Sequence, residues 1–136
     1  MSVLSTGADG NGNPIGGLVF STSYGSNQVA EWTSFLSDKE FCFRICKAAD
    51  DAYLYCQHIY DLQGCYWNEP GNYGPGYDTC KGDSTQYPGI YVKNGVTSTY
   101  QQGDGSTPAP PAHTAGATSN CVSATSPGGA LCVLFI

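Results

Sequence analysis

The sequence predicts a small, disulfide-rich α+β domain in which a helical hairpin packs on a small irregular antiparallel sheet, and three observations carry that expectation. Seven cysteines, at positions 42, 46, 56, 65, 80, 121 and 132, crowd a chain of 136 residues. Between Val29 and Leu62 apolar residues recur at helical spacing. Short runs of β-branched and aromatic residues on either side, bounded by glycine, read as strands.

Residues 1–17 are rich in Gly, Asn and Ser and are expected to be irregular. Leu18 to Tyr24 then reads as a strand. Ser26 or Asn27 is placed to cap a helix in which Val29, Trp32, Phe35 and Leu36 face the core, with Glu31 near its positive end. The next segment points two ways. Phe41, Phe43 and Ile45 alternate as in a strand, whereas Cys42 and Cys46 are four apart, as on one helix face; Lys47-Ala48-Ala49 tips the reading to helix. Asp50 or Asp51 caps a second helix reaching about Gln63, with Ala52, Tyr55, Cys56, Ile59 and Leu62 on its apolar face and Gly64 ending it. Ile90-Tyr91-Val92 and Val96 to Tyr100 pair as a hairpin across Lys93-Asn94-Gly95, since Asn-Gly supplies the positive φ angles of a tight turn. Residues 103–120, with Pro108-Ala-Pro-Pro111, read as an extended tether. A stapled core over residues 1–102 and a Pro/Ser/Thr-rich tail over 103–136, tied back by Cys121, therefore make up one domain.

A chain with 18 glycines and so few elements buries little apolar area, so cross-links must supply much of its stability. In an antiparallel helical hairpin Cys46 meets Cys56 near the turn and Cys42 meets Cys65 at the far end, leaving Cys80 for Cys121. Closing a loop of about 11 residues is worth about 3 kcal/mol, and one of about 42 residues about 4 kcal/mol. Six cysteines allow fifteen connectivities, and the seventh raises the count. Cys132 is the candidate for the unpaired one, either as a free thiol or as a bridge between two copies in a homodimer.

Dense cysteines in a chain with only 12% charged residues indicate an oxidising, extracellular setting. Residues 2–20 carry no secretory signal pattern, as expected if a signal has been processed away. The apolar stretch Ala130 to Ile136 is too short to span a bilayer, so no membrane insertion is expected. A net charge of -6, with five scattered basic residues, excludes the Lys/Arg cluster that nucleic acid requires.

Candidate chemistry is sparse. The Cys-x3-Cys and Cys-x8-Cys spacings do not suit structural zinc, and no metal or other cofactor is expected. Asp9, Asn11 and Asn13 open like a calcium loop, but Pro14 replaces the expected glycine and Phe20 the bidentate Glu. His58 and Asp61 are one helical turn apart, yet no nucleophile accompanies them; Glu31, Glu40 and Glu69 are not placed in opposition by anything in the sequence. No catalytic residue is assigned, and an enzyme is not expected. The strongest feature is aromatic. Tyr66, Trp67, Tyr73, Tyr77, Tyr87 and Tyr91 lie in or beside glycine-rich loops, where rings either fill a core short of aliphatic residues or bind a glycan or a protein receptor.

Three stretches are distinctive: Phe41-Cys42-Phe43-Arg44-Ile45-Cys46, Cys56-Gln57-His58-Ile59-Tyr60-Asp61-Leu62-Gln63-Gly64-Cys65, and Tyr66-Trp67-Asn68-Glu69-Pro70-Gly71-Asn72-Tyr73 followed by Cys80. With their flanks, over roughly residues 2–126, they resemble small cysteine-rich secreted proteins of basidiomycete fungi, mostly of unknown function. The pattern of that group has six cysteines ending at Cys121, so Cys132 departs from it. Some of its members are described as immunomodulatory. The resemblance implies a secreted interaction protein, immunomodulatory or defensive, with a glycan-binding protein as the alternative reading and a hydrolase the least favoured.

Overall fold

A computed structural model describes residues 17–23, 27–36, 40–83, 86–103, 108–125 and 134–135. Strands β1 (Val19–Ser21) and β2 (Asn27–Val29) form a two-stranded antiparallel sheet. Strands β3 (Glu31–Leu36) and β4 (Phe41–Cys46) pair antiparallel over six residues each. Two single-turn helices follow, α1 (Ala52–Tyr55) and α2 (Cys65–Asn68), separated by a 3-10 turn at Asp61–Gln63. Strand β5 (Tyr77–Asp83) comes next, then the hairpin β6 (Ile90–Lys93) and β7 (Val96–Thr99), then β8 (Ala117–Ala124) and β9 (Leu134–Phe135). The largest sheet runs β3-β4-β9-β5-β8, with β9 parallel to both of its neighbours.

The expected helical hairpin is replaced by a β-hairpin. Residues 41–46 form strand β4, and the supposed capped helix after Asn27 is strands β2 and β3. The physical reason is that residues i and i+4 share a face in a strand as well as in a helix, so the cysteine spacing could not discriminate. The alternation of Phe41, Phe43 and Ile45, together with Trp32, Thr33 and Phe35 opposite, suits a pleated surface better. The second predicted helix is also shortened to α1. Ile59 and Leu62, expected on its buried face, are exposed.

Register then sorts the side chains. Phe35 opposes Cys42, Thr33 opposes Arg44, and Glu31 opposes Cys46, so these six share one face of the β3–β4 hairpin. Phe35, Cys42 and Cys65 pack into one buried cluster, and Cys46, Ala52 and Cys56 into another, with Tyr55 against it. On the opposite face Trp32 stacks on Phe43 with ring centroids 5.6 Å apart. The disulfides join Cys42 to Cys65, Cys46 to Cys56, and Cys80 to Cys121. The first two tie α2 and α1 to β4; the third links β5 to β8, which are also paired by backbone hydrogen bonds. Cys132 and the Asp9–Pro14 stretch lie outside the described residues.

The β6–β7 hairpin forms as the sequence predicts, with Asn94 and Gly95 at φ 52° and 78°.

Candidate functional site

The site is built around α2, of whose four residues only Tyr66 is exposed. Tyr66 points outward, while Trp67 and Asn68 are buried, as is Glu69 just beyond. The Cys42–Cys65 bond fixes the start of this turn, and Gly64, at φ 74°, lets the chain enter it from the 3-10 turn.

Trp67 belongs to a ring cluster. Its ring meets Tyr60 at 5.0 Å and Tyr100 at 5.7 Å, and Tyr60 stacks on Tyr100 at 5.8 Å. The indole N–H donates to the carbonyl of Pro110 (2.8 Å), and the Tyr60 hydroxyl donates to the carbonyl of Tyr100 (3.1 Å). Tyr91 donates to the carbonyl of Pro111 and stacks on His113, whose Nε2 lies 2.9 Å from the Ile90 carbonyl. The proline segment is thus docked on aromatic rings. Gly89 closes the cluster, since a methyl group there would overlap the Tyr60 phenol.

The six rings singled out by sequence therefore separate. Trp67 is buried; Tyr77 packs on Phe41; Tyr87 packs on Tyr55 and donates to Asp51, whose carboxylate pushes the phenol up to about 12. Tyr91 is half-buried. Tyr66 and Tyr73 stay on the surface, 6.0 Å apart and edge to face, and the segment also exposes Ile59 and Leu62.

Beneath α2 lies a pair of buried charges. Arg44, only 2% exposed, donates from Nη1 to the Tyr55 carbonyl at 2.9 Å. Burial lowers its pKa, and the Glu69 carboxylate partly restores it. Glu69 accepts from the Thr33 hydroxyl at 2.6 Å; burial raises its pKa to about 7 against the opposing influence of Arg44 and Thr33. Arg44, Trp67 and Asn68 also line a cleft together with Pro88, His113 and Thr118.

Sequence reasoning missed Arg44, Asn68 and the Tyr60–Tyr100 contact. A signal for Arg44 was present, because in a strand a residue flanked by cysteines at i−2 and i+2 shares their buried face. His58 is exposed, and Asp61 accepts from Gln102 at 2.7 Å. Among the described residues no group of three His, Cys, Asp or Glu side chains is gathered to hold a metal ion, and no helix is long and apolar enough to cross a membrane.

Fold and site together define a small, cysteine-rich, disulfide-stapled β-rich domain. The chain is similar to two proteins of the basidiomycete fungus Mycosarcoma maydis. It is 47% identical to appressorium protein ROW2 over 118 residues, covering 85% of this chain and 39% of the relative. It is 47% identical to appressorium protein ROW1 over 131 residues, covering 92% of this chain and 29% of the relative. The chain thus spans well under half the length of these curated relatives. Both are fungal, in keeping with the resemblance drawn from the sequence, and neither description carries an immunomodulatory role. No protein-family model matches the chain, and no solved structure matches it.

Proposed function

We propose that the chain is a secreted, non-enzymatic interaction domain that acts on the appressorium, as the names of its two fungal relatives suggest, and that its partner is a protein. The observation that carries this reading is the surface of residues 59–73. There Ile59, Leu62, Tyr66 and Tyr73 are all exposed, on a backbone that disulfides at Cys56 and Cys65 tie to β4. Rings and aliphatic groups held on a rigid backbone lose little freedom on binding and so suit an interface. Three disulfides support an extracellular setting.

The test is retention of the labelled domain on appressorium-bearing cells, compared with a Leu62→Ser/Tyr66→Ser double variant. The wild type is retained and the variant loses about tenfold or more in binding at unchanged melting temperature. Equal retention of both, or none of the wild type, contradicts the reading.

A further inference from the structure

Residues 108–113 cross the ring cluster without joining a strand or a helix, and no backbone–backbone hydrogen bond among the described residues involves them. Side chains hold them instead. The Trp67 indole N–H donates to the Pro110 carbonyl at 2.8 Å, and the Tyr91 hydroxyl donates to the next carbonyl, that of Pro111, at 2.9 Å. His113 stacks on the Tyr91 ring at 4.5 Å, with its Nε2 2.9 Å from the Ile90 carbonyl. Pro108, Ala109 and Pro111 stay exposed.

This attachment has a defined chemistry. Proline lacks an N–H and has a fixed φ, so Pro110 and Pro111 favour an extended chain whose carbonyls are free to accept. Aromatic-lined grooves take polyproline-II segments in this way, and the stiffness of the segment keeps the entropic cost of docking low. The two ring donors use only successive carbonyls, which every polyproline-II segment offers. The groove walls stand on other parts of the chain. Trp67 is two residues from Cys65, which is bonded to Cys42. Tyr91 lies on β6, and the hairpin is held at Tyr100 by the Tyr60 hydroxyl and by the bond from the Tyr100 amide to the Gly89 carbonyl. Lifting residues 108–113 therefore leaves the walls in place and strips two ring donors of their acceptors. One of them is on Trp67, only 8% exposed, so an empty groove favours a replacement of the same kind.

We propose that Trp67 and Tyr91 form a recognition groove for proline-rich, polyproline-II segments of a partner protein, and that residues 108–113 are a strap filling it in cis. Because the strap belongs to the same chain, its effective concentration is on the order of millimolar, and a partner segment enters by outcompeting it. The groove is separate from the exposed 59–73 surface and does not depend on the reading given to that surface.

The experiment uses the 15N-labelled, disulfide-intact chain and follows the Trp67 indole N–H. The probes are decaproline, a peptide copying residues 106–114, and a Gly-Ser peptide of equal length. In Pro110→Gly/Pro111→Gly/His113→Gly, which weakens the strap at each point of attachment, both proline peptides are expected to shift the Trp67 indole N–H saturably. The wild type is expected to need about tenfold more peptide. Adding Tyr91→Phe to the weakened strap removes one donor and is expected to lower affinity about fivefold. Three results overturn the proposal: neither proline peptide moves Trp67 while the β3–β4 amides keep their positions; the Gly-Ser peptide binds as well as they do; or Tyr91→Phe binds without loss. If the triple variant loses the β3–β4 amide pattern, the wild type titrated with millimolar decaproline decides: joint shifts of Trp67 and of the Ala112 and His113 amides uphold displacement, and their absence overturns it. Retention on cells plays no part in these measurements, so this groove and the 59–73 surface fail separately.

Discussion

Around β4 the chain is held by sulfur, with Cys42 and Cys46 bonded to Cys65 and Cys56, whereas a few residues away the rings of Tyr60, Trp67 and Tyr100 gather three segments that share no covalent link at that point. The two regions also differ in what they organise. The sulfur-held region fixes secondary structure close in sequence, across separations of 23 and 10 residues. The ring-held region docks distant pieces: the β6–β7 hairpin through Tyr100, and the proline segment through the Trp67 bond to Pro110. Tyr60 and Trp67 each sit within four residues of a disulfide cysteine, so the rings are mounted on the stapled frame. The comparison teaches an order of dependence: the ring cluster needs the staples, and the stapled hairpin does not need the rings.

The largest expected effect comes from removing the ring at the centre. Trp67→Ala should cost about 4 kcal/mol in urea unfolding, because it leaves a cavity and an unpaired Pro110 carbonyl. Breaking the other region with Cys42→Ala and Cys65→Ala together should cost about 3 kcal/mol on loop-closure grounds. That double variant is expected to disturb the near-ultraviolet signal of Trp67 as well, which sharpens the claimed order.

The junction between the regions predicts a pH dependence. Folding raises the Glu69 pKa from its ordinary 4.5 to about 7, so the folded state holds an extra proton between those values. Its contribution to stability is full below about pH 4.5 and is lost as pH rises through about 7. The total change is about 3 kcal/mol. Melting temperature measured across that window should fall, and Glu69→Gln should flatten the profile.

The smallest effect belongs to the exposed turn. Gly95 has open space around it but a φ of 78°, so Gly95→Ala should cost about 1 kcal/mol through backbone strain alone, and thermal unfolding will register it.

The sequence made some of this legible and hid the rest for physical reasons. The Asn94-Gly95 turn was readable because only a few residue pairs tolerate two successive positive φ values. The structure also joins Cys42 to Cys65 and Cys46 to Cys56, the two pairs that a helical hairpin suggested, since Cys42 and Cys46 lie on one face of either a helix or a strand. For that reason the pairs carry no information about the element itself, and residues 41–46, expected as helix, form a strand. The aromatic residues were readable as important but not as inside or outside. Tyr66 and Trp67 are neighbours with opposite burial, a difference set by α2 being anchored at Cys65, which local composition does not reveal. Arg44 and Asn68 come to line one cleft only through tertiary packing.

The most direct test of the order of dependence is hydrogen exchange mapped residue by residue on Trp67→Ala with its disulfides intact. The predicted result is a loss of protection at Tyr100, whose amide bonds to the Gly89 carbonyl, and along β6–β7, with protection kept at the paired amides of β3 and β4. Equal loss of protection in β3–β4 and in β6–β7 would contradict the account.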